Sequence, residues 1–135
     1  YQPWYFYWTR NTDKTFKKII SCFPESNYWA KTAAVFIVAC YWPIIDGERD
    51  SYALYDLGAS VMSLILQAQH LGFYARQIGN CNTKKLKELL NLNKNHKPFT
   101  VIALGKIGDY SKIEEIYLKK DFQSNVKKTD IAKKI

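Results

Sequence analysis

The chain reads as one α+β or α/β sandwich, in the order strand–helix–strand–long helix–strand–helix–strand, and three observations predict it. Val35 to Tyr41 (VFIVACY) and Pro98 to Gly105 (PFTVIALG) are continuously apolar over strand length, as strands covered on both faces require. Between them, Ser51 to Phe73 repeats its apolar residues at helical spacing. A length of 135 residues suits one compact domain, and 47% hydrophobic with 16% aromatic residues supplies its core.

Each element has a local reason. Trp4 to Arg10 (WYFYWTR) is aromatic-rich, which favours a strand. Thr12 and Asp13 are candidate N-caps for a short basic helix, Lys14 to Ile20. Pro43 ends the Val35–Tyr41 strand, and Asp46-Gly47 with Glu48-Arg49-Asp50 reads as a charged loop. The long helix carries Ala53, Leu54, Leu57, Val61, Leu64, Ile65, Ala68 and Leu71 at helical spacing, with Gly72 placed as a C-terminal cap. Asp56, Gln67, Gln69 and His70 make it too polar for a lipid span, so no membrane partner is expected. Tyr74 to Ile78 is a short strand ending at Gly79-Asn80. Asn82 or Thr83 caps a helix from Lys84 to Leu90 that turns Leu86, Leu89 and Leu90 inward.

Twenty Lys+Arg against twelve Asp+Glu leave a formal charge of +8. Bases dominate residues 1–31 and 76–135, and acids dominate residues 32–75. The arginines are only Arg10, Arg49 and Arg76, whereas readers of base edges rely on the bidentate Arg fork. A solvated lysine surface is therefore the preferred reading. A non-catalytic basic domain that binds nucleic acid or a protein partner through its lysine-rich faces is the alternative. Cys22, Cys40 and Cys81 are odd in number and widely spaced, which excludes an ordinary zinc motif and argues against a disulfide framework. Such cysteines suit a reducing cytoplasm.

No P-loop, G-x-G-x-x-G, G-x-S-x-G or H-E-x-x-H motif is present. His70 and His96 have no carboxylate near them in sequence and read as structural residues. Neither a catalytic side chain nor a metal site is expected. An enzyme of this composition would depend on a cofactor that brings its own reactivity.

Four motifs in order then resemble the FMN-dependent nitroreductase superfamily. They are Gln2-Pro3-Trp4-x-Phe6; Asn27-x-Trp29-Ala30 leading to Ala33-Ala34-Val35-x-Ile37-Val38; Tyr55-Asp56-Leu57-Gly58-Ala59 with Leu64-x-Leu66-x-Ala68-x-x-Leu71-Gly72; and Leu86-x-x-Leu89-Leu90-x-Leu92 through Val101-Ile102-Ala103-Leu104-Gly105. The resemblance implies a three-layer sandwich with a mainly antiparallel sheet, and a homodimer formed through the long central helix. It implies FMN, NAD(P)H as electron donor, and ping-pong hydride transfer through flavin N5 to an electron-poor small molecule such as a nitroaromatic or quinone. Carried over residue by residue, Gln2 would lie near the flavin and Asn27 would reach it across the dimer. Ile78 and Gly79 would bring backbone N–H groups to N5, and Lys127 and Lys128 would sit near the phosphate.

The family's opening helix and its basic R-x-S-x-R segment have no counterpart here. The chain opens at Tyr1, not Met, directly in an aromatic run, so a fragment or processed product is expected. Residues 1–105 then form the nitroreductase-like core, and residues 106–135 a lysine-rich C-terminal arm.

Overall fold

The computed structural model describes residues 2–109. Its elements are β1 (Trp4–Arg10), α1 (Lys14–Ile20), a 3-10 helix (Glu25–Thr32), β2 (Val35–Tyr41), β3 (Ile44–Ile45), β4 (Glu48–Arg49), α2 (Ala53–His70), β5 (Tyr74–Ile78), α3 (Thr83–Leu89) and β6 (Lys97–Gly105). The main sheet has the order β1-β2-β6-β5, and every neighbouring pair is antiparallel. The two continuously apolar runs, β2 and β6, are its interior strands, and the more polar β1 and β5 are its edges. Strands with a neighbour on each side and helices over both faces bury most of their side chains, here Phe36, Val38, Ala39 and Cys40 of β2 and Val101, Ile102 and Ala103 of β6.

The helices divide between the two faces. On one, α1, the 3-10 helix and α3 bury Phe16, Ile19, Ala30 and Leu86 against Phe36, Val38, Val101 and Ala103 of the sheet. Phe16 stacks flat on Phe36, centroids 4.0 Å apart, and Phe23 meets Phe36 edge-on. On the other face, α2 packs Leu57 and Val61 against Ala39 and Ile102, flanked by Trp4, Phe6 and Ile37. The architecture is the α+β three-layer sandwich with a mainly antiparallel sheet.

Helix ends follow from local chemistry. The Asp13 carboxylate accepts the Arg10 N–H at 2.8 Å and the Thr9 hydroxyl at 3.0 Å, closing the turn from β1 into α1 rather than capping the helix itself. These bonds, the Arg10 N–H foremost, hold the Asp13 carboxyl below its ordinary pKa. At the end of α2 the N–H of Phe73 reaches the carbonyl of Ala68 and that of Gly72 reaches Gln69, with Gly72 at φ +79°. That is the Schellman closure, in which glycine takes the left-handed position at no steric cost. Asn82 caps α3 through its side-chain oxygen, which accepts the Lys85 N–H at 2.9 Å.

Two segments differ from expectation. The charged loop after Pro43 is a miniature hairpin, β3–β4, turning at Asp46 (φ 48°) and Gly47 (φ 86°). Positive φ at both central residues is the geometry that Asp-Gly favours. The long helix is also shorter than Ser51–Phe73, because Asp50 accepts the Tyr52 N–H at 2.8 Å and holds the chain in a turn until Ala53. Among the described residues no helix is long and apolar enough to cross a membrane.

Candidate functional site

The sheet brings Asn27 and the loop after β5 together. β5 ends at Ile78, a buried residue whose carbonyl accepts the Thr100 hydroxyl at 3.0 Å. The chain then leaves the sheet through exposed Gly79 and Asn80, and is tied down beyond them by the Asn82 N–H on the Cys22 carbonyl at 2.8 Å. Asn27, in the first turn of the 3-10 helix, donates its side-chain amide to the Asn80 carbonyl at 3.2 Å, and its oxygen accepts the Trp29 indole N–H at 3.3 Å. The amide is thereby fixed over the loop. Among the described residues the N–H groups of Gly79 and Asn80 have no acceptor. A Cβ built at Gly79 would meet nothing within 4 Å, so the chain's own packing does not demand glycine there.

The other expected residues fall elsewhere. Gln2 is exposed at the same end of the sheet but on the β1 side, where its amide donates weakly to the Trp4 carbonyl at 3.4 Å. β1 and β5 are opposite edges of a four-stranded sheet, so Gln2 is offset from Gly79 by three strand spacings, roughly 14 Å, and further by the stretch of β1 between Gln2 and Phe6. Lys127 and Lys128 lie outside the described residues.

The structure also shows a cluster that the sequence left hidden. His96, in a segment that reads as a polar loop, is buried at 8% exposure. Its Nδ1 is 2.7 Å from the Tyr7 hydroxyl, Tyr5 stacks on its ring at 4.7 Å, and Trp42 meets it edge-on. Burial, and then the Lys87 charge, hold its pKa below the ordinary imidazole value. Burial likewise raises the Tyr7 phenol. The imidazole is a neutral member of an aromatic cage, as a structural histidine should be. The partner aromatics came from the far end of the chain, so no local signal could reveal them.

The cysteines are free, and burial raises the thiol pKa of Cys22, Cys81 and Cys40, the last to about 12. No group of three or more metal-ligating side chains occurs among the described residues. Of the lysines on α3, Lys85 donates to the Ser21 carbonyl and Lys87 to the Lys94 carbonyl, so part of the basic surface serves the fold itself.

The nitroreductase family profile matches residues 24–106, which runs from the 3-10 helix to the end of β6. The chain belongs to the nitroreductase family. An uncharacterized 15.4 kDa protein in the ask 5′ region of Mycolicibacterium smegmatis is 27% identical over 109 residues, covering 81% of this chain and 74% of that one. Among solved structures, an FMN-containing oxidoreductase superposes with a TM-score of 0.80 at 23% identity, over 87% of this chain and 63% of that chain. A nitroreductase family protein from Clostridium novyi NT superposes at 0.68 and 22% identity, over 78% and 63%. A candidate NADH oxidase of Clostridium acetobutylicum superposes at 0.66 and 27% identity, over 87% and 73%. The chain thus spans under two thirds of the first two solved nitroreductase-fold chains, while sharing their core.

Proposed function

We propose that this nitroreductase-family core binds FMN at the Asn27 and Gly79–Asn80 cluster and serves a flavin-dependent NAD(P)H oxidoreductase. The observation that carries the reading is the pair of uncommitted N–H groups on an exposed loop, with open space at Gly79 and a fixed amide beside it. That donor set fits the polar edge of a planar heteroaromatic ring. Backbone donors suit this task because they are held by the fold and need no reorganisation when charge develops on the ring. Bound FMN would supply hydride transfer at N5, from NAD(P)H to an electron-poor acceptor such as a nitroaromatic or quinone, in ping-pong order.

The chain's own residues bind and orient. Ile78 anchors the loop in the core, and Thr100 fixes the last strand carbonyl. Asn27 holds the loop through Asn80. Gln2, exposed at the opposite edge, is proposed to lie beside the flavin's lead-in loop, and Lys127 and Lys128 to take the phosphate from the lysine-rich 106–135 arm. The FMN and NADH named for the solved relatives support the cofactor and the donor. A homodimer through α2 completes the proposal: Tyr55, Met62 and Leu66 stand on its outward side at 54–76% exposure, an apolar stripe that a second copy would cover.

The test is direct. FMN titrated into the purified chain should lose fluorescence saturably, and NAD(P)H should bleach the bound flavin under anaerobic conditions. Asn27→Ala should weaken FMN roughly tenfold, the loss expected for one polar anchor to a bound group. A colourless protein that cannot be reconstituted with FMN refutes the reading for this chain.

A further inference from the structure

A cavity of about 500 Å³ opens on the α2 face of the sheet, between the β3–β4 hairpin, the first turn of α2 and the start of β6. Its apolar wall includes Tyr41, Ile44 and Leu54, and its charged wall is Arg49 and Lys97. Tyr41 is held edge-on against Phe99 at 6.2 Å, which fixes the ring that lines the space. Asp50 also lines it, but one oxygen of its carboxylate is spent on the Tyr52 N–H. Neither Arg49 nor Lys97 makes a side-chain hydrogen bond or ion pair among the described residues.

The fold brings these two cations to one cavity from distant points in the sequence, and against the single carboxylate of Asp50 they leave the lining with a net positive charge. The first turn of α2, which carries no side-chain cap, meets the cavity at Leu54 and adds partial positive charge. An apolar wall facing a cationic one selects an organic anion over an inorganic one, and the volume is that of a small-molecule pocket. We propose that this cavity binds a small organic anion, a carboxylate on a flat apolar body. Arg49 and Lys97 take the carboxylate, and Tyr41, Ile44 and Leu54 take the body. Asn27 and Asn80 meet on the other face of the sheet, so the proposal does not rest on the flavin reading.

The probe is sodium benzoate, titrated into the full chain by calorimetry, with benzyl alcohol as its uncharged isostere. Benzoate should bind saturably, and benzyl alcohol at least tenfold more weakly. Arg49→Gln and Lys97→Gln should each weaken benzoate roughly fivefold to tenfold, the range for a charge-assisted contact at a partly open site. Arg10→Gln, a cation lying over Trp8, should leave benzoate unchanged. Circular dichroism of each variant shows that the fold persists, and the two single variants guard against one of them failing. Absence of saturable benzoate binding at millimolar concentration overturns the proposal. So does equal affinity for benzyl alcohol, equal affinity for inorganic phosphate, or indifference to both substitutions.

Discussion

Among the described residues, His96 sets the window in which acidification should destabilise this fold. The imidazole is 8% exposed, enclosed by Tyr5, Tyr7 and Trp42, and its pKa is held below the ordinary 6.5 first by burial and then by Lys87. The unfolded chain therefore takes up the proton before the folded chain does. Its contribution to stability is complete above about pH 6.5 and is lost as pH falls through the depressed folded value. One such group can cost no more than about 1.4 kcal/mol per pH unit. Asp13, with a lowered carboxyl, acts below its ordinary 3.8, and Tyr7 and the three thiols, all raised, lose stability only in the alkaline range. Among the described residues with shifted groups, the interval from about pH 7.5 to 5 thus belongs to the histidine.

The hydrogen bond to Tyr7 sharpens the argument. A phenol oxygen can donate to neutral Nδ1 or accept from a protonated one, so protonation need not break the 2.7 Å contact. The acid loss comes from burial and Lys87, not from a lost bond. Tyr7→Phe should therefore cost about 1 kcal/mol already at neutral pH, and should keep the acid slope. His96→Gln should flatten the slope. Urea unfolding followed by tryptophan fluorescence at half-unit pH steps measures both. A wild-type stability that is flat between about pH 7.5 and 5, or an equal slope in His96→Gln, would refute the reasoning.

Three further outcomes follow from packing and backbone geometry. Phe36→Ala removes a fully buried ring that Phe16 and Phe23 both contact, and should cost about 3–5 kcal/mol in urea unfolding. Gly72→Ala forces a Cβ into φ +79° and should cost about 1–2 kcal/mol. Gly58→Ala, in the interior of α2 with open space beside it, should gain up to about 1 kcal/mol in the isolated protomer, both read from thermal melts. Light scattering at micromolar concentration should give a dimer for the wild type and a monomer for Leu66→Glu. That side chain is 58% exposed and its loss leaves the core untouched. A monomeric wild type would contradict the α2 interface.

Much of the architecture was legible because its cause is local. β1, α1 and β2 span the residues that aromatic content, capping and an apolar run predict. The β3–β4 hairpin was not read as such: Asp46-Gly47 is a strong turn signal, but two residues on each side are too few for alternation to register. The 3-10 helix has no apolar period, and its own side chains bond locally, Asn27 with Trp29 and Thr32 with the Trp29 carbonyl. The proposed site was suggested only by family motifs, because Asn27 and Asn80 meet across 53 residues of chain. His96 was harder still, its cage depending on Tyr7 at a separation of 89.

The availability of the Gly79 and Asn80 N–H groups has a cause in unequal strand lengths. β6 runs from Lys97 to Gly105 and pairs with β2 from Lys97 to Leu104, skipping Phe99 at a register shift, whereas β5 pairs only with Val101 to Gly105. Had β5 continued, Gly79 and Asn80 would have lain beside Thr100 and Phe99, and because alternate N–H groups of an antiparallel edge strand point at the neighbour, the ladder would have consumed one of the two donors. Two features of β6 work against that extension. Pro98 has no N–H to offer the growing edge, and the register shifts opposite Ala39 and Cys40. The chain is therefore released from the sheet at Gly79 with its donors unspent. Asn27 and the Asn82–Cys22 bond then hold it in one place, so the loop is both unpaired and ordered, as a backbone-built binding site requires.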